Sequence, residues 1–365
     1  MSYISYPYGY MYPNEMANGI VWLPIIATYI LFVSIASGTA ILLSIGVLFN
    51  VSVLRRLSPM FIMASLATAF VYLLGPLADL KRPDRAFYIF IYPHLTPSEM
   101  YPGVSLIALM ASVMWPLLII LLIVLGYLIL WRNMWNSLLT KILSLILIFV
   151  SLIWSTYFAS LYFATIPVLR LNNLLPLLPV DLFLETMATA GAVGILAFII
   201  HNRSLERSAS KILSLTILIC GSAFIILRFF QIFRLYTYMT GSPETSIFLN
   251  VFTPLNNVVF ILALLSSISA FYVYIKNSMI SAFIMIITTI LWSFYDKWLF
   301  AVDIQSISKT FLSIISAELD LLSWSLETIA MILLSLFIYF ILYTWVVKKP
   351  ILDTGVVRGE IYDKY

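Results

Sequence analysis

Apolar runs of about 20 residues recur along this chain and limit what it can fold into. A run of that length is enough for an α-helix to cross the hydrocarbon core of a bilayer. The runs are continuously apolar, whereas the strands of a membrane barrel would alternate apolar and polar residues. They therefore predict an all-α integral membrane protein, because only helices and closed barrels satisfy their backbone groups in lipid.

Composition excludes several other classes of protein and several kinds of redox site. Charged residues make up 10% of the chain, against about a quarter in soluble domains, so no large soluble domain is expected. Cys220 is the single cysteine, which excludes an internal disulfide and a cysteine-ligated iron–sulfur cluster. His94 and His201 are the two histidines, and their predicted places in a loop and at a helix end disfavour a haem held by paired histidines. We expect contacts with membrane lipid and none with nucleic acid.

The hydropathy pattern predicts a polytopic bundle of about nine transmembrane helices, within a range of eight to ten, arranged as two packed bundles. The predicted spans are 19–48, 59–80, 104–131, 141–168, 179–201, 208–233, 248–275, 278–300 and 322–347. The predicted domains are a Tyr/Pro-rich arm (1–18), a first set of helices (19–201), a second bundle (202–347) and a polar tail (348–365).

Residues 304–321 show apolar side chains at helical spacing. This spacing predicts an amphipathic helix on the membrane surface before the last span. The alternative is that the segment forms the early part of a longer ninth helix.

The distribution of Lys and Arg predicts the orientation. An external N-terminus and an internal C-terminus in the cell membrane place the larger share of basic residues inside, with Arg55 and Arg56 among them.

With that orientation, polar residues that are unusual in membrane helices fall near the outer ends of several helices. They are Tyr157, Tyr162, Asp181, Glu185, Arg228, Gln231, Asn256, Asn257, Asp296, Lys297 and Glu327. Ionisable groups inside a bilayer are costly and usually functional. Structural explanations exist for single residues: Arg228 could reach the headgroups, Asp296 could pair with Lys297, and Asp181 could cap its helix. The clustering at one level nevertheless predicts a polar pocket near one membrane face.

Such a pocket suits an isoprenoid quinone. The tail needs an apolar slot between helices, and the head needs hydrogen bonds to its two oxygen atoms. Oxidation of a quinol also needs acceptors for two protons, which Tyr, Asp and Glu side chains can provide. Asp181 and Glu185 are the acidic candidates for this catalytic role.

A charged segment that directly follows the second apolar run resembles a known signature. The sequence "LADLKRPDRAFYIF" (77–90) resembles the Asp-Leu-Gly-Arg-Pro-Glu-Arg motif of NrfD-like membrane subunits of the polysulfide reductase PsrC type. The matching residues are Asp79, Leu80, Arg82, Pro83 and Arg85, with Lys81 in place of the glycine and Asp84 in place of the glutamate.

Four further segments resemble parts of the same family in the same order. They are "YPHLTPSEMYPG" (92–103), "SIASGTAILL" (34–43), "YFASLYFATIPV" (157–168) and "LLPLLPVDLFLETMATAGA" (174–192). The resemblance covers roughly residues 20–200, and the remainder shows compatible hydropathy only.

The resemblance implies a function for the whole chain. Members of this family are membrane subunits of multisubunit oxidoreductases that hold no haem or iron–sulfur cluster themselves. They exchange electrons between a membrane quinone, of the menaquinone type or another isoprenoid quinone, and a partner with four iron–sulfur clusters. A molybdopterin catalytic subunit usually lies beyond that partner, and a hydrogenase subunit is the alternative. A sulfur compound and hydrogen both remain open as terminal substrates.

The resemblance also implies roles for residues. Tyr157 matches the tyrosine that contacts quinone, and Tyr162, about one turn further on, is the alternative. Asp79, Arg82 and Arg85 would support the quinone site from a docking loop at 79–103. Some members of the family use His or Asn in the first helix for the quinone head, and the candidates that replace them here are Thr28, Tyr29 and Ser34.

Two other functions are compatible with the sequence. A secondary transporter would usually place broken helices and charges at the membrane midplane, whereas these charges lie nearer one face. A purely structural anchor would retain electron transfer when Tyr157 or Glu185 is replaced.

Overall fold

The computed structural model describes residues 24–79, 95, 106–165, 170–202, 205–239, 241–307 and 321–347. Within these residues the chain forms helices and no strands, and nine of the helices are long and apolar enough to cross a membrane. The predicted fold class, an all-α polytopic membrane bundle, is confirmed. The predicted terminal arm and tail lie outside the described residues, as does most of the loop at 79–103, and the domain boundaries stay predictions.

We number the nine long helices in chain order. They are α1 (Ile25–Leu48), α2 (Ser52–Val71), α3 (Ile107–Trp131), α4 (Leu138–Thr165), α5 (Leu178–Asn202), α6 (Arg207–Tyr238), α7 (Pro243–Lys276), α8 (Met279–Trp298) and α9 (Leu321–Val347). A short helix, Leu74–Asp79, follows α2, and another, Leu171–Leu174, precedes α5. A π-helical turn, Leu299–Asp303, and a 3-10 turn, Ile304–Ser306, prolong α8.

Several helix boundaries differ from the sequence prediction, and the clearest cases are the start of α2 and the end of the eighth span. The second helix begins at Ser52 rather than at residue 59, and Pro59 lies within it. Arg55 and Arg56 therefore lie inside the helix, and Arg56 pairs with Glu206 at 2.6 Å beside the start of α6. The eighth span continues to Ser306 rather than ending at residue 300.

The same observation shows that the prediction of a surface helix over 304–321 is wrong in part. Residues Ile304–Ser306 form the end of the eighth span and not the beginning of a surface helix. Residues 308–320 lie outside the described part, and Leu321 already belongs to α9.

α1 lies at the centre of the molecule and is buried along nearly its whole length. It contacts α2, α4, α5 and α8, while α5 contacts α6 and α8, and α7 packs between α6 and α8. Small residues allow α1 and α5 to approach closely: a Cβ at Gly38 would overlap the carbonyl oxygen of Thr186 and lie 2.7 Å from the Cβ of Ala190. α1 and α5 therefore join two groups of helices, α1–α4 and α5–α8, while α9 lies mainly against α2.

Candidate functional site

Four helices of the second group bring seven polar side chains together, which we call the charged network. α5 provides Asp181 and Glu185, and α6 provides Arg228 and Gln231. Spacings of four and three residues place each pair on one face of its helix. α7 provides Asn256, and α8 provides Asp296 and Lys297. All seven are at most 3% exposed, so the network is enclosed by protein.

Arg228 is the central residue of the charged network. Its Nη1 and Nη2 donate to the two carboxylate oxygens of Asp296, at 2.8 and 3.1 Å. Its Nε donates to Asp181 Oδ2 at 2.9 Å, and Nη1 also donates to Asn256 Oδ1 at 3.1 Å. Gln231 Nε2 donates to the same oxygen of Asp181 at 2.9 Å. Arg228 therefore links α5, α6, α7 and α8 through its one planar head group.

Aromatic rings surround the Arg228 guanidinium. Its central carbon lies 4.7 Å from the ring centre of Phe224, 5.6 Å from that of Phe252 and 5.6 Å from that of Phe300. Rings at these distances stabilise a cation through their quadrupoles and exclude water from it. The arginine is thus held inside the bundle. The explanation that Arg228 reaches the lipid headgroups is therefore wrong.

Lys297 forms the second cationic centre of the charged network. Its Nζ donates to Glu185 Oε2 at 2.7 Å and to Ser293 Oγ at 2.8 Å. Ser293 Oγ in turn accepts from Thr189 Oγ1 at 3.0 Å. Asp296 and Lys297 therefore do not pair with each other but with partners on different helices, because consecutive residues of a helix point in different directions.

The carboxyl groups of Glu185 and Asp296 meet between the two cationic centres. They lie close enough for a hydrogen bond if one of them is protonated, and each also has its own cationic partner. Three carboxyl groups and two cations thus share one buried space. A metal site is not indicated, because the described residues hold no group of three or more His, Cys, Asp or Glu that could bind an ion.

A second cluster, which we call the aromatic cluster, joins α1, α4 and the end of α2. The ring centres of Tyr157 and Phe158 are 5.1 Å apart, those of Tyr29 and Phe158 5.3 Å, and those of Tyr72 and Trp154 5.3 Å. All five side chains are at most 7% exposed. Tyr29 and Tyr157, which were predicted to contact a quinone from different helices, are therefore members of one cluster.

Tyr162 lies between the aromatic cluster and the charged network. Its ring stacks on Phe300 with 5.2 Å between ring centres, and Phe300 also faces Arg228. Its hydroxyl is close enough to Asp296, Glu185 and Tyr29 to interact with them electrostatically. The side chain is 1% exposed, so this connection runs through the protein interior.

The remaining predicted site residues lie elsewhere or are not described. Thr28 Oγ1 lies 2.9 Å from Thr328 Oγ1 and accepts from Trp324 Nε1 at 3.4 Å, so it joins α1 to α9. The Ser34 hydroxyl donates to the carbonyl of Ile30 in its own helix at 3.1 Å. The side chain of Asp79 lies outside the described part, as do Arg82 and Arg85.

Sequence reasoning missed several contributors to these clusters. Tyr72 and Trp154 gave no separate signal, because aromatic residues are common in membrane helices. Ser293 and Thr189 are single polar residues in apolar runs, and no local pattern connects them. Asn257 was grouped with the polar residues, but it is exposed on α7 beside the buried Asn256.

The chain is similar over nearly its whole length to a reductase subunit of an archaeon. It is 29% identical over 360 residues to a tetrathionate reductase subunit of Archaeoglobus fulgidus, and the match covers 93% of this chain and 96% of that protein. No family model matches the sequence. The similarity extends well past residue 200, where the recognisable motifs had ended, and so includes the helices that carry Arg228 and Asp296.

Proposed function

We propose that this chain is the quinone-reactive membrane subunit of a multisubunit reductase complex. The similarity to a protein named as a subunit of tetrathionate reductase, across almost the full length of both chains, carries this proposal. A free-standing transporter would not be expected to align from end to end with a reductase subunit. The nine candidate spans agree with a multi-pass membrane subunit.

The aromatic cluster is the proposed place for the quinone head group. The Tyr72 hydroxyl and the indole Nε1 of Trp154 are buried and have no hydrogen-bond partner within the described residues. A buried donor without an acceptor is costly, and a quinone offers two carbonyl oxygens as acceptors. The residues present therefore fit the group: Tyr72, Trp154 and Tyr157 would hold the head, and Tyr29 would pack against it.

A bound quinol would supply two electrons and two protons. The chain's own task is then to orient the head and to receive protons at stated atoms. Oε1 of Glu185 receives no hydrogen bond from the described N–H and O–H donors, so it is the proposed site of proton exchange, which takes up a quinol proton after its own proton has been released. Asp181 Oδ2 already accepts from Arg228 and Gln231, and we assign Asp181 the role of holding the arginine.

Partner subunits belong to the same proposal. An iron–sulfur subunit with four clusters would dock on the loop at 79–103, and a molybdopterin or hydrogenase subunit would lie beyond it. The name of the relative makes a sulfur oxyanion the first terminal substrate to test. The proposed orientation in the cell membrane has the N-terminus outside and the C-terminus inside.

The first test is to isolate the chain mildly from native membranes and to assay iron, molybdenum and quinone in the product. Copurification of an iron–sulfur subunit with extractable quinone is the expected result. A single protein without all three, from membranes in which other complexes stay intact, would refute the proposal and favour a transporter.

The second test separates a quinone site from a structural anchor. Tyr157→Phe removes one hydroxyl from the aromatic cluster, and Tyr272→Phe makes the same change at a half-exposed position on α7. Quinol oxidation by the isolated complex should fall about 10-fold or more in the first variant, since positioned proton-transfer groups contribute about 10²–10⁴-fold. Equal activity in both variants would favour the anchor.

A further inference from the structure

The charged network contains more acidic than basic groups. Asp181, Glu185 and Asp296 would carry three negative charges if all were ionised, and Arg228 and Lys297 carry two positive charges. Their side chains are fully buried, at 0% exposure. The fully ionised network would therefore keep one net negative charge inside the bundle, out of contact with water.

No other group in the described surroundings balances that charge. α7 contributes Asn256 and α6 contributes Gln231, which are neutral amides. α4 contributes Tyr162, which is neutral as a phenol. An uncompensated buried charge is strongly unfavourable, and a protein normally avoids it by binding or releasing a proton.

The contact between Glu185 and Asp296 shows where a proton would be held. Two ionised carboxylates carry acceptors only, so they repel each other and cannot form a hydrogen bond. The two side chains lie close enough for a hydrogen bond, and such a bond needs one O–H. Asp296 accepts two hydrogen bonds from Arg228, while Oε1 of Glu185 accepts none from the described donors.

We propose that the charged network is a proton-binding site that holds one proton at neutral pH, shared between Glu185 and Asp296. With that proton the network is electrically neutral, and each cation keeps its carboxylate partner. The inference follows from the buried groups and their charges and is independent of the proposed quinone chemistry. It gives the chain an internal proton next to Tyr162, which connects the site to the aromatic cluster.

Infrared difference spectroscopy of the full-length chain in lipid nanodiscs at pH 7 tests this proposal. The carbonyl band of a protonated carboxyl is separate from the carboxylate bands and shifts in heavy water. Glu185→Gln should remove the intensity of one protonated carboxyl. Glu244→Gln, the same change outside the network at the start of α7, should remove none.

Asp181→Asn is the more demanding test, because Asp181 is not one of the two groups that share the proton. The variant leaves two carboxyl groups and two cations, so the count predicts that the shared proton is lost and the band with it. Lys297→Met leaves three carboxyl groups and one cation, so the band should double. The double variant that combines Asp181→Asn with Lys297→Met has two carboxyl groups and one cation, so the band should return to its wild-type intensity.

These outcomes decide the proposal together. The proposal would be overturned if the protonated-carboxyl band kept its wild-type intensity in either Asp181→Asn or Glu185→Gln. Asp181→Asn keeps an oxygen that can accept from Arg228 and Gln231, so it is expected to fold even where Lys297→Met does not. Elution as a single monodisperse peak before reconstitution is the control for folding.

Discussion

Replacement of Arg228 by methionine is the most direct test of what stabilises the second group of helices. Arg228 holds carboxylates from two helices and an amide from a third, through hydrogen bonds of 2.8–3.1 Å. Methionine fills a similar volume among Phe224, Phe252 and Phe300 but leaves Asp181 and Asp296 without their cation.

The expected loss in the free energy of unfolding can be compared with the loss at a surface ion pair. Removal of one partner of a buried ion pair costs about 3–5 kcal/mol, because the other partner stays buried and uncompensated. The pair between Arg56 and Glu206 has the same chemistry, but its side chains are 31% and 38% exposed. Exposed pairs contribute about 0–1 kcal/mol, so Arg56→Met is the matched control.

The free energy of unfolding in mixed micelles, measured by titration with a denaturing detergent, gives the difference. Arg228→Met should lose about 3–5 kcal/mol, roughly a factor of 10²–10⁴ in the folding equilibrium, and Arg56→Met should lose about 1 kcal/mol or less. The triple variant Arg228→Met, Asp181→Asn and Asp296→Asn should recover most of the loss, because no charge is left unpaired. Equal losses in the two single variants, or no recovery in the triple variant, would refute this explanation.

Two further substitutions test the packing of the helices. Gly38→Ala should destabilise the chain by about 1–3 kcal/mol, because the new methyl group would overlap the Thr186 carbonyl. Gly241→Ala is the control and should have little effect, since no atom lies within 4 Å of its added Cβ. Thermal unfolding in detergent compares the two variants, and equal unfolding midpoints would contradict the close approach of α1 and α5. Tyr339→Phe should cost about 0.5–1.5 kcal/mol, because it removes the 2.7 Å hydrogen bond to His201 Nε2 that joins α9 to α5. Protease sensitivity or hydrogen exchange of α9 measures this effect, and exchange unchanged from wild type would show that the bond does not hold the helix.

Much of the fold could be read from the sequence, because each membrane helix is specified locally. In lipid every backbone N–H and C=O must be satisfied within its own segment, so an apolar run of sufficient length predicts a helix without reference to its neighbours. The predicted and observed spans agree in number within the described part of the chain. The boundary error near Ser52 arose because Arg55 and Arg56 were placed outside the helix, although Arg56 has a tertiary partner in Glu206.

The polar residues of the candidate site were also visible in the sequence, since few ionisable groups interrupt the apolar runs. The sequence likewise indicated Tyr157 and Tyr29 as candidates, but not that Tyr72 and Trp154 lie beside them. Aromatic side chains are frequent in such helices, so their meeting depends on how α1, α2 and α4 pack.

Partner choice within the charged network was decided by tertiary structure alone. Asp296 and Lys297 are neighbours in sequence, and their opposite charges suggested a self-paired unit at the end of a helix. In the folded chain Lys297 meets Glu185 of α5, whereas Asp296 meets Arg228 of α6. Hydropathy determines which segments enter the membrane, whereas the side on which each helix meets its neighbours determines which buried charges are paired.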